Sequence, residues 1–90
     1  MDTGKPLRKD NILSRQLGNE WILYDTASGA VHVINSMAEF VWRMCDGSHD
    51  LVDIENGIRN AHMVPEDRNV SKDLRDIIRK FADLGVISLP

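Results

Sequence analysis

Residues 30–47 read AVHVINSMAEFVWRMCDG, and inside this stretch the hydrophobic period changes from two to 3.6. Ala30 to Ile34 alternates as a strand does, with the β-branched Val31 and Val33 on one face. At Asn35-Ser36 either side chain can cap a helix, and Met37, Ala38, Val41, Met44 and Cys45 then share one side of it until Gly47 ends the run. A strand that runs directly into a capped helix sets the order of the fold, with sheet before it and helices after it.

Upstream, Ile12 to Leu17 and Glu20 to Asp25 are two short runs separated by Gly18-Asn19, a tight-turn signal. Trp21, Ile22, Leu23 and Tyr24 suit a pleated, half-buried surface. Thr26-Ala27-Ser28-Gly29 is rich in turn formers and leads into Ala30. Three strands in series predict an antiparallel meander whose last strand stands at an edge. Residues 1–10 mix Gly4, Pro6 and charges without periodicity and are expected to be a flexible N-terminal arm, with the folded domain over 11–90.

Downstream, Asp50 can cap a second helix striped by Leu51, Ile54 and Ile58, with the acidic Asp53 near the positive end of its dipole. His62-Met63-Val64-Pro65 breaks that helix, because proline disfavours helical geometry in the residue before it. Val70, Leu74, Ile77, Ile78, Phe81 and Leu84 then form the stripe of a strongly amphipathic third helix, closed by Gly85. The expected fold is α+β, a winged helix-turn-helix in which a three-stranded antiparallel sheet is followed by three helices.

Composition bounds the chemistry. With 42% hydrophobic and 28% charged residues the chain has the makeup of an ordinary globular domain, and its net charge of −3 offers no broad positive field to nucleic acid or an anionic membrane. The first ten residues carry no apolar run of the kind a secretory signal needs, so the cytoplasm is the expected location. One cysteine, Cys45, excludes an intramolecular disulfide.

Catalytic patterns are missing. Cys45 and His49 are the closest pair of soft ligands, and no second pair accompanies them as structural zinc would require. There is no nucleophile elbow, P-loop or dinucleotide fingerprint. Asp50 with Asp53, and Glu66 with Asp67, are explained by helix capping or a solvated loop. Trp21 and Trp42 are expected to fill the core. Neither a cofactor nor a metal is expected, and the chain is read as a non-catalytic one.

The run Val33-Ile34-Asn35-Ser36-Met37-Ala38, continuing through Val41-Trp42 to Asp46-Gly47, resembles a signature of the PqqD-like family. Asp50 to Ile54 resembles that family's second-helix start, and Leu74 to Phe81 with Leu84-Gly85-Val86-Ile87 resembles its third helix and ending. Met37 and Cys45 depart from the usual pattern at packing positions. The resemblance covers roughly residues 11 to 88.

Members of this family are recognition elements in the biosynthesis of ribosomally made, modified peptides. The resemblance implies that the chain binds the leader of a precursor peptide and presents it to a modifying enzyme, such as a radical SAM enzyme or a leader protease or cyclase. It also implies the site: the leader adds as a strand beside Ala30, Val31, His32, Val33 and Ile34 and lies against Leu74, Arg75, Ile77, Ile78 and Phe81 of the third helix.

Physical chemistry supports that mode, since an exposed edge strand offers unpaired N–H and C=O groups to an extended peptide. Arg75, Arg79 or Lys80 would pair with an acidic leader residue at the rim, and the sequence leaves open which one faces it. Val31, Val33, Leu74, Ile78 and Phe81 would also serve as core residues in a domain of this shape.

Two other readings compete. A winged-helix DNA-binding regulator would share the architecture, but its third helix should be clearly basic, whereas here Lys72, Arg75, Arg79 and Lys80 alternate with Asp73, Asp76 and Asp83. A structural subunit that docks on a larger enzyme would use an exposed patch around Trp21 or Tyr24.

Overall fold

The Gly18-Asn19 break folds as the sequence demands: Gly18 takes a positive φ of 59° and joins two six-residue strands. The computed structural model describes residues 4–61 and 69–89. Its elements are β1 (Leu7–Arg8), β2 (Ile12–Leu17), β3 (Glu20–Asp25), β4 (Val31–Ile34), α1 (Ser36–Met44), α2 (Leu51–Asn60), α3 (Val70–Leu84) and β5 (Ile87–Ser88). The expected proline break at 62–65 lies outside the described residues. Among those residues, no helix is long and apolar enough to cross a membrane.

β2, β3 and β4 form the antiparallel meander in that order, with Ile12 opposite Asp25 and Tyr24 opposite Val31. Asp25 fixes the β3–β4 connection: its carboxylate accepts the backbone N–H groups of Ala27 and Ser28 and the amide of Asn11. These donors, the Ala27 N–H first, hold the Asp25 carboxyl below its ordinary value.

Each helix begins on a side-chain cap. Asn35 Oδ1 accepts the Ala38 N–H at 2.8 Å, and Asn69 Oδ1 accepts the Lys72 N–H at 3.2 Å. Asp50 and Asp53 form a reciprocal capping box, each carboxylate accepting the other's backbone N–H. At the far end of α3, Gly85 is left-handed at φ 76° and the Val86 N–H reaches back to the Phe81 carbonyl, a Schellman ending that turns the chain into β5.

The core gathers Leu23 from the sheet, Val41, Trp42 and Cys45 from α1 and the turn after it, Ile54 and Ile58 from α2, and Leu74, Ile78 and Phe81 from α3. Trp42 is buried as expected, with its indole N–H directed at the Val86 carbonyl, whereas Trp21 is only half-buried. Among the described residues Glu39 is the buried charge, and Arg43 one turn on answers it with a fork of contacts at 3.0–3.3 Å.

Two expectations require correction. The segment read as a flexible arm contains β1, which pairs with β5, and Pro6 behind it is fully buried. Arg8 N–H bonds to Cys45 C=O, Lys9 N–H to Val86 C=O and Gly47 N–H to Pro6 C=O. A strand of two residues carries no period to read, and its partners, Cys45 to Gly47 on one side and Val86 to Ser88 on the other, are all distant in sequence. Val31 and Val33, offered as core residues, are instead 54% and 62% exposed. The register turns them to the outer face of the sheet beside Tyr24 and Ile22, while His32 and Ile34 face inward.

Candidate functional site

β4 is an edge strand, and the ladder shows which of its backbone groups are open. Asp25 N–H bonds to Ala30 C=O, so the Asp25–Ala30 pair is of the hydrogen-bonded kind. Alternation along the register then directs the N–H and C=O of His32 and Ile34 at β3 and leaves those of Val31 and Val33 on the free edge. An extended chain laid beside β4 would bond to these two residues.

The edge runs along a groove of about 480 Å³ between β4 and α3. Val31, His32, Val33 and Ile34 form one side, Asn35 and Ala38 close the end at the start of α1, and Ile77, Lys80, Phe81 and Leu84 form the α3 wall. At about 100° per residue, Ile77, Lys80 and Leu84 fall within an arc of about 60° on α3. Phe81 lies next to them on the core side.

Of the residues expected at the site, the structure brings Val31, His32, Val33, Ile34, Ile77 and Phe81 together around the groove. Ala30 precedes the strand with its carbonyl already engaged by Asp25. Leu74 and Ile78 sit deeper, 1% and 3% exposed in the core. Arg75 lies on the opposite flank of α3, where it lines a separate cavity of about 360 Å³ with Leu51, Arg79 and Leu89. Of the three basic candidates for the rim, Lys80 is the one in the groove wall.

Asn35, Ala38 and Leu84 complete the lining and were not singled out from the sequence for this role. Their signal was present, since Asn35 and Ala38 follow β4 directly and Leu84 is one turn beyond Phe81, but capping and helix packing account for all three.

The remaining chemistry is structural. Burial pushes the Cys45 thiol up to about 12, against the opposing charge of Arg8, so the sulfur is protonated at neutral pH and donates to the Val41 carbonyl at 3.1 Å. Asp46 is held well below its ordinary value by the Ser48 hydroxyl, the Ser48 N–H and His49, which close an exposed turn. Among the described residues no group of three or more His, Cys, Asp or Glu could hold a metal. α3 shows no uniformly basic face, and its Lys72 is paired with Asp76 at 3.1 Å.

Comparison with known proteins agrees with this architecture. The solved structure of TbiB1 in complex with the TbiA(beta) leader peptide superposes with a TM-score of 0.73 at 20% identity, over 91% of this chain and 94% of that one. Lasso peptide synthetase B1 complexed with the leader peptide gives a TM-score of 0.75 at 15% identity, over 94% of this chain and 99% of that one. At these identities the likeness is one of fold. No curated protein sequence matches the chain. The family model of coenzyme PQQ synthesis protein D matches residues 20–87, from the first residue of β3 to the first of β5, and the chain therefore belongs to the PqqD family.

Proposed function

We propose that this protein captures the leader of a ribosomally made precursor peptide as a fourth strand on β4 and holds it for a modifying enzyme, without performing a covalent step itself. The observation that carries the reading is the open backbone of Val31 and Val33 running along an apolar groove walled by α3. Membership of the PqqD family and the leader complexes of the two similar structures support it. The sheet with its three helices is compatible with a winged helix-turn-helix whose groove takes peptide rather than DNA. The partner enzyme in this reading is a radical SAM enzyme or a leader protease or cyclase, acting in the cytoplasm.

Titration of isotope-labelled protein with the leader peptides encoded beside its gene tests the proposal. Amide shifts are expected on Val31 to Ile34, Ala38, Ile77 and Leu84, with the Val31 and Val33 amides moving downfield as they acquire partners. Shifts confined to the Arg75 flank of α3 or to the outer sheet face would overturn it.

A further inference from the structure

The groove also constrains what kind of segment it takes. Among the described residues Lys80 is the one Asp, Glu, Lys or Arg in the lining, and the rest is apolar apart from His32 and Asn35. Among the described residues Lys80 has no ion pair, in contrast to Lys72, Arg59 and Arg43, each tied to a carboxylate four residues earlier or later. The opposite flank of α3 differs, because Asp83 lines that cavity together with Arg75 and Arg79. Asp76, one turn before Lys80, is paired with Lys72, and Asp83, three residues after Lys80, lines the cavity on the other flank, so among the described residues no carboxylate lines the strand-addition groove.

Strand geometry adds a rule of parity. A segment paired with β4 directs alternate side chains into the groove and the others onto the outer face of the sheet, beside Val31 and Val33. Ile34, Ala38, Ile77 and Leu84 line the groove that the inward side chains would enter, and Lys80 stands on the same α3 wall. A carboxylate that reaches Lys80 must therefore belong to the inward set.

We infer that the groove selects an extended segment in which apolar residues alternate along the chain and an Asp or Glu lies an even number of residues from them, facing Lys80. The inference rests on the strand-addition reading above and specifies its ligand. Neutralising a partly exposed pair of this kind changes affinity about two- to five-fold, and opposing like charges change it more.

The test uses the intact protein as bait for a phage-displayed library of random short linear peptides, in parallel with Lys80→Glu and Val33→Pro. The wild type should enrich peptides with apolar residues two apart and an acidic residue in the same parity. Lys80→Glu should replace that acid by Lys or Arg while keeping the apolar pattern, and Val33→Pro should lose the whole set. A synthetic copy of one selected peptide should bind Lys80→Glu about tenfold more weakly, and exchanging its acid for lysine should restore most of the loss.

Identical enrichment by the wild type and Lys80→Glu, with Val33→Pro still abolishing capture, would overturn the charge inference and leave strand addition standing. So would an acidic residue at odd spacing from the anchors. Capture that survives Val33→Pro, or no capture by the wild type, would overturn strand addition and the inference with it. Circular dichroism of each variant establishes that it is folded before its selection is read.

Discussion

The three-stranded sheet has two edges with the same backbone chemistry and different surroundings. On β4 the register opens Val31 and Val33; on β2 it opens Ser14 and Gln16, while the Ile12 N–H is already given to Lys9 C=O. Cavity size does not separate them, since a hollow of about 490 Å³ lies beside Leu13, Ser14, Arg15, Ile22 and Tyr24. What separates them is the wall. Among the described residues the β2 hollow is lined by the sheet alone, whereas the β4 groove is closed by α3 and the start of α1. An open edge supplies affinity without discrimination, and a second wall of side chains supplies the discrimination.

The largest effect should come from the residue that supports the α3 wall without touching the groove. Leu74→Ala removes a fully buried side chain and is expected to cost about 2 to 5 kcal/mol of stability, read from urea unfolding. Leader affinity of the remaining folded fraction should be unchanged. A selective loss of binding at full stability would show that Leu74 acts in the groove.

Val33→Pro addresses the edge itself. Its N–H has no partner in the ladder, so the substitution should leave the melting temperature within a few degrees while weakening leader binding about tenfold or more by titration calorimetry. Ser14→Pro is the matching change on β2 and should leave leader binding intact. Equal losses in the two variants would erase the distinction between the edges.

The two edges also differ in what could be read from the sequence. The bounds of β2 and β3 follow from Gly18-Asn19 and the runs beside it, and the caps Asn35 and Asp50 are found where the hydrophobic period changes. The outward orientation of Val31 and Val33 could not be read that way. β3 carries Trp21, Ile22, Leu23 and Tyr24 in succession, so both faces are apolar and alternation gives no sign of which one is covered. On α3 the sequence groups Ile77 with Lys80 and Arg75 with Arg79, but only packing decides which group meets β4.

A smaller effect is expected from acid. Asp25, which ties the turn leading into β4, has its pKa depressed in the folded state. Its contribution is present above the ordinary aspartate value of 3.8 and is lost as pH falls through the lower folded value. Amide exchange at Ala27 and Ser28 should therefore rise, relative to intrinsic rates, below about pH 4 and before the core residues respond. Asp25→Asn should flatten that profile. Simultaneous loss of protection in the turn and the core would show that Asp25 stabilises the whole domain rather than the approach to the edge.

Smallest of all should be Arg75→Ala, which removes a cation from the other flank of α3 and should change leader affinity by less than about twofold. A larger change would extend the binding surface around the helix.

The pairing of Leu7–Arg8 with Ile87–Ser88 has a bearing on how the molecule is made. On the ribosome the first of these strands emerges long before the second exists: Pro6 and Arg8 can meet Gly47 and Cys45 once about half the domain is made, but the pairing with Ile87 and Ser88 must wait for nearly all of it. Loop-closure entropy grows with the length of chain enclosed, so this long-range pairing is expected to close late in folding. Until Ile87 is free of the exit tunnel, the hairpin of β2 and β3 can form locally, while the layer containing Trp42 and Val86 stays open.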